Sequence, residues 1–226
     1  MATTTYLLPT ANVQAINIGL FVFLFGFVGY SQKTKLLPQI IIDTVTTTSP
    51  RDRVVAVCNF LDNHRIKEAT GHNDGPWIDA FHASVSKRLV GKHQPWCGSV
   101  AWWIFKTARV PIKVPAPATA ASWFADRKKV YFDKLTGENT KRFEAGDLLG
   151  YRIVSRFRRW RPASTVTHVG ICVENRGSVV IVADGNTSNK GQVNFVDRDG
   201  DGFYIKARKR SSVDIAADLI SLPARL

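Results

Sequence analysis

The chain has 226 residues, 45% of them hydrophobic, and a net charge of +13. That length and apolar content support one compact domain of about 150–180 residues with appendages, and they exclude two full domains and an intrinsically disordered chain. The charge concentrates polyanions near the surface without choosing among nucleic acid, anionic lipid and acidic wall polymer.

The first charged residue is Lys33. Ahead of it, Ala15 to Tyr30 is an apolar run of about 16 residues, short for a spanning helix and matched to the core of an export signal. Gly29-Tyr30-Ser31 supplies the small-x-small pattern of a cleavage site. Residues 1–31 are therefore expected to be a signal peptide or an N-terminal membrane anchor, placing the protein outside the cell or at the envelope. Residues 32–48 read as a linker.

Ser49-Pro50 opens a helix, the serine as cap and the proline in the first turn. Val54, Val57, Cys58 and Leu61 follow at helical spacing. Gly71 to Pro76 is turn chemistry, and Ile78, Phe81, His82 and Val85 form a second apolar stripe. Cys97 to Ala108 carries a single charge, Lys106, and is apolar on nearly every side, as a buried central helix is. After Gly146-Asp147 the pattern turns to short strands: Leu148 to Val154, Thr167 to Val173, Val179 to Ala183 and Phe203 to Ala207. Helices first and an antiparallel sheet second give an α+β class. The expected domain is 49–210, with 211–226 a tail forming a short helix through Val213, Ala216, Leu219 and Ile220.

The three cysteines, Cys58, Cys97 and Cys172, make neither a disulfide framework nor a zinc pair. A Cys58–Cys172 bridge in an oxidising compartment stays open, against the preferred reading of both as small core residues. Cys97 differs in position. A thiol at the first turn of a helix meets unpaired N–H groups and the positive end of the dipole, which favour thiolate.

The second half supplies a base. Thr167 to Val173 and Ser178 to Asn186 flank Asn175-Arg176-Gly177. A three-residue loop sets His168 directly across from Asp184, with Asn186 on the same face; a two-residue loop sets Gly185 there instead. In the first register the hairpin joins an imidazole to an acid or amide that orients it, the base half of a cysteine hydrolase site. His64, His72, His82 and His93 lack metal-like spacing and are read as surface residues.

Pro95-Trp96-Cys97-Gly98-Ser99-Val100, Thr167-His168-Val169-Gly170-Ile171 and Asp184-Gly185-Asn186-Thr187-Ser188-Asn189 resemble, in order and spacing, the CHAP family of cysteine, histidine-dependent amidohydrolases/peptidases that cut peptidoglycan. The likeness runs from about Glu68 to Arg210. Gly71-x-Asn73-x-Gly75, Gly146-Asp147 and Gly200-Asp201-Gly202-Phe203-Tyr204 are similar to further family landmarks. The resemblance implies a papain-like fold with Cys97 as nucleophile on a buried helix packed against an antiparallel sheet. It implies His168 as base, with Asp184 and Asn186 at the family's acidic and amide positions. Asp184 stands where family members commonly carry Glu, so either Asp184 or Asn186 orients the ring. The implied activity is peptidoglycan hydrolysis as amidase or endopeptidase, with no cofactor and no metal. The rivals are a non-catalytic wall- or polyanion-binding module and a phage lysin or antibacterial toxin of the same chemistry.

Asp197-x-Asp199-x-Asp201-Gly202 starts like a calcium loop, but its twelfth position is Arg208 and the bidentate ligand is missing. Arg152, Arg156, Arg158, Arg159 and Arg161, interleaved with Phe157 and Trp160, read as an attraction site for anionic wall polymer or membrane surface. Nucleic acid ranks behind, since no nucleic-acid-binding motif accompanies them.

Overall fold

The computed structural model describes residues 49–152, 165–188 and 200–221. Helix α1 (Pro50–Asn63) starts on a full capping box, Ser49 accepting from the Asp52 N–H while Asp52 bonds back to Ser49. Helix α2 (Pro76–Val85) begins with proline after Gly75, whose φ of 113° suits glycine. Helix α3 (Cys97–Thr107) packs against α1 and α2 and lies against the sheet. Its own buried Trp103 meets Phe81 of α2, ring centres 5.5 Å apart, and Phe81 stacks in turn on the buried Trp96 ring at 5.7 Å.

The strands are β1 (Val130–Asp133), β2 (Glu138–Asn139), β3 (Leu148–Arg152), β4 (Val166–Arg176), β5 (Val179–Thr187), β6 (Gly202–Lys209) and β7 (Ile215–Ala217). They form one sheet in the order β2-β1-β7-β3-β4-β5-β6, with antiparallel pairings. The period of two sorts the strands into two layers. Val169, Ile171 and Ala183 join the helices in one core cluster, while Cys172, Val180 and Val182 join Tyr131, Leu149 and Tyr151 in a second cluster on the other face. The α+β class is as the sequence indicates.

Two expectations need correction, and the alternative left open for the cysteines closes. Val213 to Ile220 form no helix: Ile215–Ala217 is a strand inserted between β1 and β3, so this part of the tail belongs to the sheet. Val213, Ala216, Leu219 and Ile220 satisfy helical spacing, but Ile215–Ala217 is a continuous buried apolar run, which periodicity does not separate from helix, and sheet pairing decides. The hairpin turn is two residues, Gly177 and Ser178, with Arg176 opposite Val179. A bulge between Cys172 and Glu174 then shifts the ladder, so Asp184 faces Gly170 and not His168. The three cysteines are free and buried, with Cys58 and Cys172 in the two different core clusters, so no disulfide joins them.

The N-terminal run Ala15 to Tyr30, the linker and Arg156 to Arg161 lie outside the described residues, as do Asp197 and Asp199. Among the described residues no helix is long and apolar enough to cross a membrane. Arg152 is not a free surface cation; it pairs with Asp133 at 3.0 Å and bonds the Asp214 carbonyl.

Candidate active site

Cys97 is the first residue of α3 and follows Trp96, which provides no side-chain cap. The helix end therefore leaves its first-turn N–H groups directed toward the thiol. Gly98 follows because nothing larger fits: a Cβ there would stand 2.4 Å from the Pro117 carbonyl oxygen. Trp96 is anchored from the other side, its indole N–H donating to Glu68 at 2.8 Å, while the second Glu68 oxygen accepts from the Asn73 N–H. Asn73 has a φ of 56°, so the Gly71–Gly75 turn braces the residue just before the cysteine.

Helix and sheet meet closely here. A Cβ on Gly185 would lie 2.5 Å from Val100 and 2.6 Å from the Trp96 ring. This contact brings the start of α3 against β4 and β5, and Cys97 into hydrogen-bonding reach of the His168 side chain. Burial pushes the Cys97 thiol up. The His168 hydrogen bond and charge, with the Val169 and Gly98 N–H groups, outweigh burial and hold the thiol below its ordinary value.

His168 is 1% exposed on β4, opposite Tyr151 of β3. Its Nε2–H donates to Asp184 Oδ1 at 3.3 Å, since an ionised carboxylate only accepts. The remaining ring nitrogen is the one available to Cys97. Burial pushes the imidazole down, but hydrogen bonds to Asp184 and Cys97 and their charges carry it up to about 9. Cysteine and histidine thus favour a thiolate–imidazolium pair.

Asp184 reaches His168 diagonally, which the register alone does not explain. The reason is Gly170, directly opposite Asp184: a Cβ there would lie 2.1 Å from Asp184 Oδ1. The carboxylate lies across the glycine to reach the ring. Its other oxygen is held by Arg208 of β6, with Nε donating at 2.7 Å and Nη2 in close contact with the same Oδ2. Burial raises the Asp184 carboxyl, yet the Arg208 charge and the His168 bond hold it well below the usual carboxylate range. The Arg208 guanidinium lies 5.1 Å from the Tyr151 ring centre.

Four sequence-selected residues therefore fare differently. Cys97, His168 and Asp184 come together. Asn186 is buried two residues on, with a φ of 59°, at the irregularity between Asp184 and Thr187 where the β5–β6 register shifts. The ring's hydrogen bond is to the acid. Arg208 and Gly170 were missed as site residues. Arg208 enters the sequence reading only as a failed calcium ligand, because Lys206, Arg208 and Arg210 alternate with Ile205 and Ala207 as a solvated basic strand face does, and nothing local singles out the one buried arginine. His82, read as surface, is instead 1% exposed, bonding Ser99 Oγ at 3.0 Å and the Gln94 carbonyl at 3.1 Å. It ties α2 to the segment that enters α3.

The described residues contain one further acidic trio, Glu144, Asp147 and Asp218. The side chains of Arg51 and Lys141 already sit among those oxygens, so it reads as an ion-pair cluster. No family model, curated protein or solved structure matches the chain.

Proposed function

We propose that this protein is a cysteine amidohydrolase acting on peptidoglycan, as an amidase or endopeptidase. The observation that carries the reading is the Cys97 thiol at the N-terminus of α3, within hydrogen-bonding reach of a His168 imidazole that is itself held by buried Asp184. Cys97 thiolate attacks the amide carbonyl carbon, and the Cys97 N–H at the helix end donates to the developing oxyanion. The C–N bond breaks as His168 gives its proton to the leaving amine. His168 then takes a proton from water, which hydrolyses the thioester to a carboxylic acid and restores the thiolate. Asp184 keeps the ring in the tautomer and orientation both steps need. The wall as substrate rests on the three ordered motifs and on the net charge of +13, which suits an acidic polymer. An export signal or anchor at 1–31 would put the chain where that substrate is.

Cys97→Ala is the test. The variant should keep its melting temperature and release no new amino groups or soluble fragments from purified walls. Undiminished release overturns the reading.

One observation favours a second reading. Cys97 is 6% exposed and His168 1%, an enclosure that also suits a non-catalytic wall- or polyanion-binding module on the same scaffold. Iodoacetamide labelling separates the two: an accessible thiolate at Cys97 labels at mildly acidic pH, whereas an enclosed thiol does not.

A further inference from the structure

We infer that Arg208 is a positioning residue for the Cys97–His168 pair, its guanidinium fixing one oxygen of Asp184 so that the other faces the imidazole and completing a buried chain of alternating charge. The inference rests on the cysteine–histidine chemistry proposed above. It is independent of which amide is cut.

Geometry comes first. Both Arg208 contacts, Nε and Nη2, converge on Oδ2, and only Oδ1 meets His168. A carboxylate on a single Cβ can rotate; one whose Oδ2 takes the Nε hydrogen bond and lies in ionic contact with Nη2 cannot do so without losing both contacts. Arg208 is itself held, 1% exposed, with its guanidinium over the Tyr151 ring at 5.1 Å. Gly170 completes the arrangement by leaving room for the carboxylate to cross to the ring.

Charge comes second. Arg208, Asp184, imidazolium and thiolate read plus, minus, plus, minus, and all four are nearly buried. That set is neutral overall, which a low-dielectric site tolerates far better than a net charge. Take the arginine away, and a set holding the thiolate carries one uncompensated negative charge. The cheapest way to remove that charge is to protonate the sulfur. Arg208 thereby sets how much thiolate exists at a given pH, although it touches neither the sulfur nor the ring. Other groups facing the chain do not replace it. Lys206 acts on Asp184 only through space and has its ammonium on Thr187 Oγ1 and the Ser188 carbonyl. Tyr151 on β3 stays a neutral phenol, its ionisation opposed by burial and by Asp184.

The test is the pH dependence of Cys97 alkylation by iodoacetamide, followed by mass spectrometry of the Cys97 peptide in the full chain. In Arg208→Met the half-maximal pH should move up by about one unit or more, an approximately tenfold loss of thiolate at any pH below it. Arg208→Lys, which keeps the charge without the planar fork, should hold the half-maximal pH near wild type while wall turnover falls about tenfold. On an Asp184→Asn background, Arg208→Met should add nothing, because the effect passes through the carboxylate. A folded Arg208→Met with an unmoved alkylation profile overturns the inference. So does a further shift on the Asp184→Asn background, which decides the matter if the single variant does not fold. Alkylation reads the thiolate whether or not the wall is the substrate. A normal Arg208 dependence in a chain that leaves walls intact therefore counts against the substrate and not against this role.

Discussion

Arg51 of α1 with Asp147, just ahead of β3, and Arg208 of β6 with Asp184 of β5 are two arginine–aspartate pairs, each with its carboxylate fully buried. Around Asp147 the side chain's partners are donors: Arg51 Nη1 at 2.9 Å, the Tyr131 hydroxyl, the Glu144 N–H at 2.9 Å and, farther off, the Lys141 ammonium at 4.0 Å. Arg51 also reaches Asp218 at 2.9 Å and so clasps α1 to the end of the sheet. Among the described residues no histidine is bonded to that carboxylate, and the nearby Cys172 thiol is pushed up, away from thiolate, by burial and by Asp147 itself. Around Asp184 one oxygen is likewise fixed by arginine, but the other bonds a histidine that can gain and lose a proton beside a thiol. The same buried ion pair thus serves as a clasp in one place and holds a histidine beside a thiol in the other, the pair to which we assign proton transfer. What separates them is the titratable partner, not the pair.

Breaking each carboxylate in turn gives the largest expected effects, and they should fall on different readouts. Asp184→Asn removes the anion that orients and charges His168. Turnover of purified wall should drop roughly 10²-fold or more, with a smaller loss of thermal stability. Asp147→Asn removes the fully buried carboxylate on which Arg51 Nη1, the Tyr131 hydroxyl and the Glu144 N–H converge, leaving Arg51 only the Asp218 and Glu144 carboxylates, and should cost about 3 kcal/mol in urea unfolding, with turnover per folded molecule near wild type. If both variants lose stability and activity in the same proportion, the two clusters do not differ in kind.

Gly170→Ala is the sharper version of the first experiment. It leaves every charge in place and only adds a methyl group where Asp184 Oδ1 now lies. The carboxylate must swing away from His168, so turnover should fall about 10- to 100-fold. Retained turnover would mean the acid can orient the ring by another route.

The dependence on pH comes next in size. His168 is carried up to about 9 in the folded protein, above its unfolded value near 6.5. The stabilisation it gives is fully present below about 6.5 and is lost as pH rises through about 9. Asp184 has the opposite sign: its contribution is present above the ordinary carboxylate range and is lost only when pH falls well below it. Wild type should therefore lose more stability between pH 6 and 10 than His168→Gln does, by urea melts at each pH. The Asp147 cluster should add little to that difference. Turnover should rise as the Cys97 thiol ionises, at a pH below that of an ordinary thiol, and fall through about 9.

The sequence reached the site unevenly, and the reasons are physical. Cys97 and His168 were legible because an uncapped helix start and a polar residue in an apolar strand are local signals. The exact mate of His168 was not. The turn is one residue shorter than expected and a bulge near Val173 offsets it, so the parity of the strand survived and the partner moved by two positions. Asp184 kept its role only because Gly170 lets it reach across, a feature visible in atoms and not in spacing. Arg208 could not be placed without knowing that β6 pairs with β5, a contact spanning the segment from Ser188 to Gly200. The strand β7 hid for the opposite reason: three residues are too few for periodicity to separate strand from helix.

The smallest predicted effect tests whether Tyr151 belongs to the site's chemistry or only to its packing. Its ring lies 5.8 Å from the His168 ring and 5.1 Å from the Arg208 guanidinium, while its buried hydroxyl finds no hydrogen-bond partner among the described residues. Burying a hydroxyl without a partner costs stability, whereas the ring contributes through apolar burial and through the cation above it. Tyr151→Phe keeps both ring contributions and removes the unpaired group. It should leave turnover within about twofold and stability equal or higher by up to about 1 kcal/mol. Tyr151→Leu removes the aromatic face and should loosen Arg208, shifting Cys97 alkylation in the direction expected for Arg208→Met but by less. A Phe variant that loses turnover as Asp184→Asn does would make the phenol a proton-handling member of the site, and the contrast with the Asp147 clasp, where the Tyr131 hydroxyl only donates a hydrogen bond to the carboxylate, would have to be redrawn.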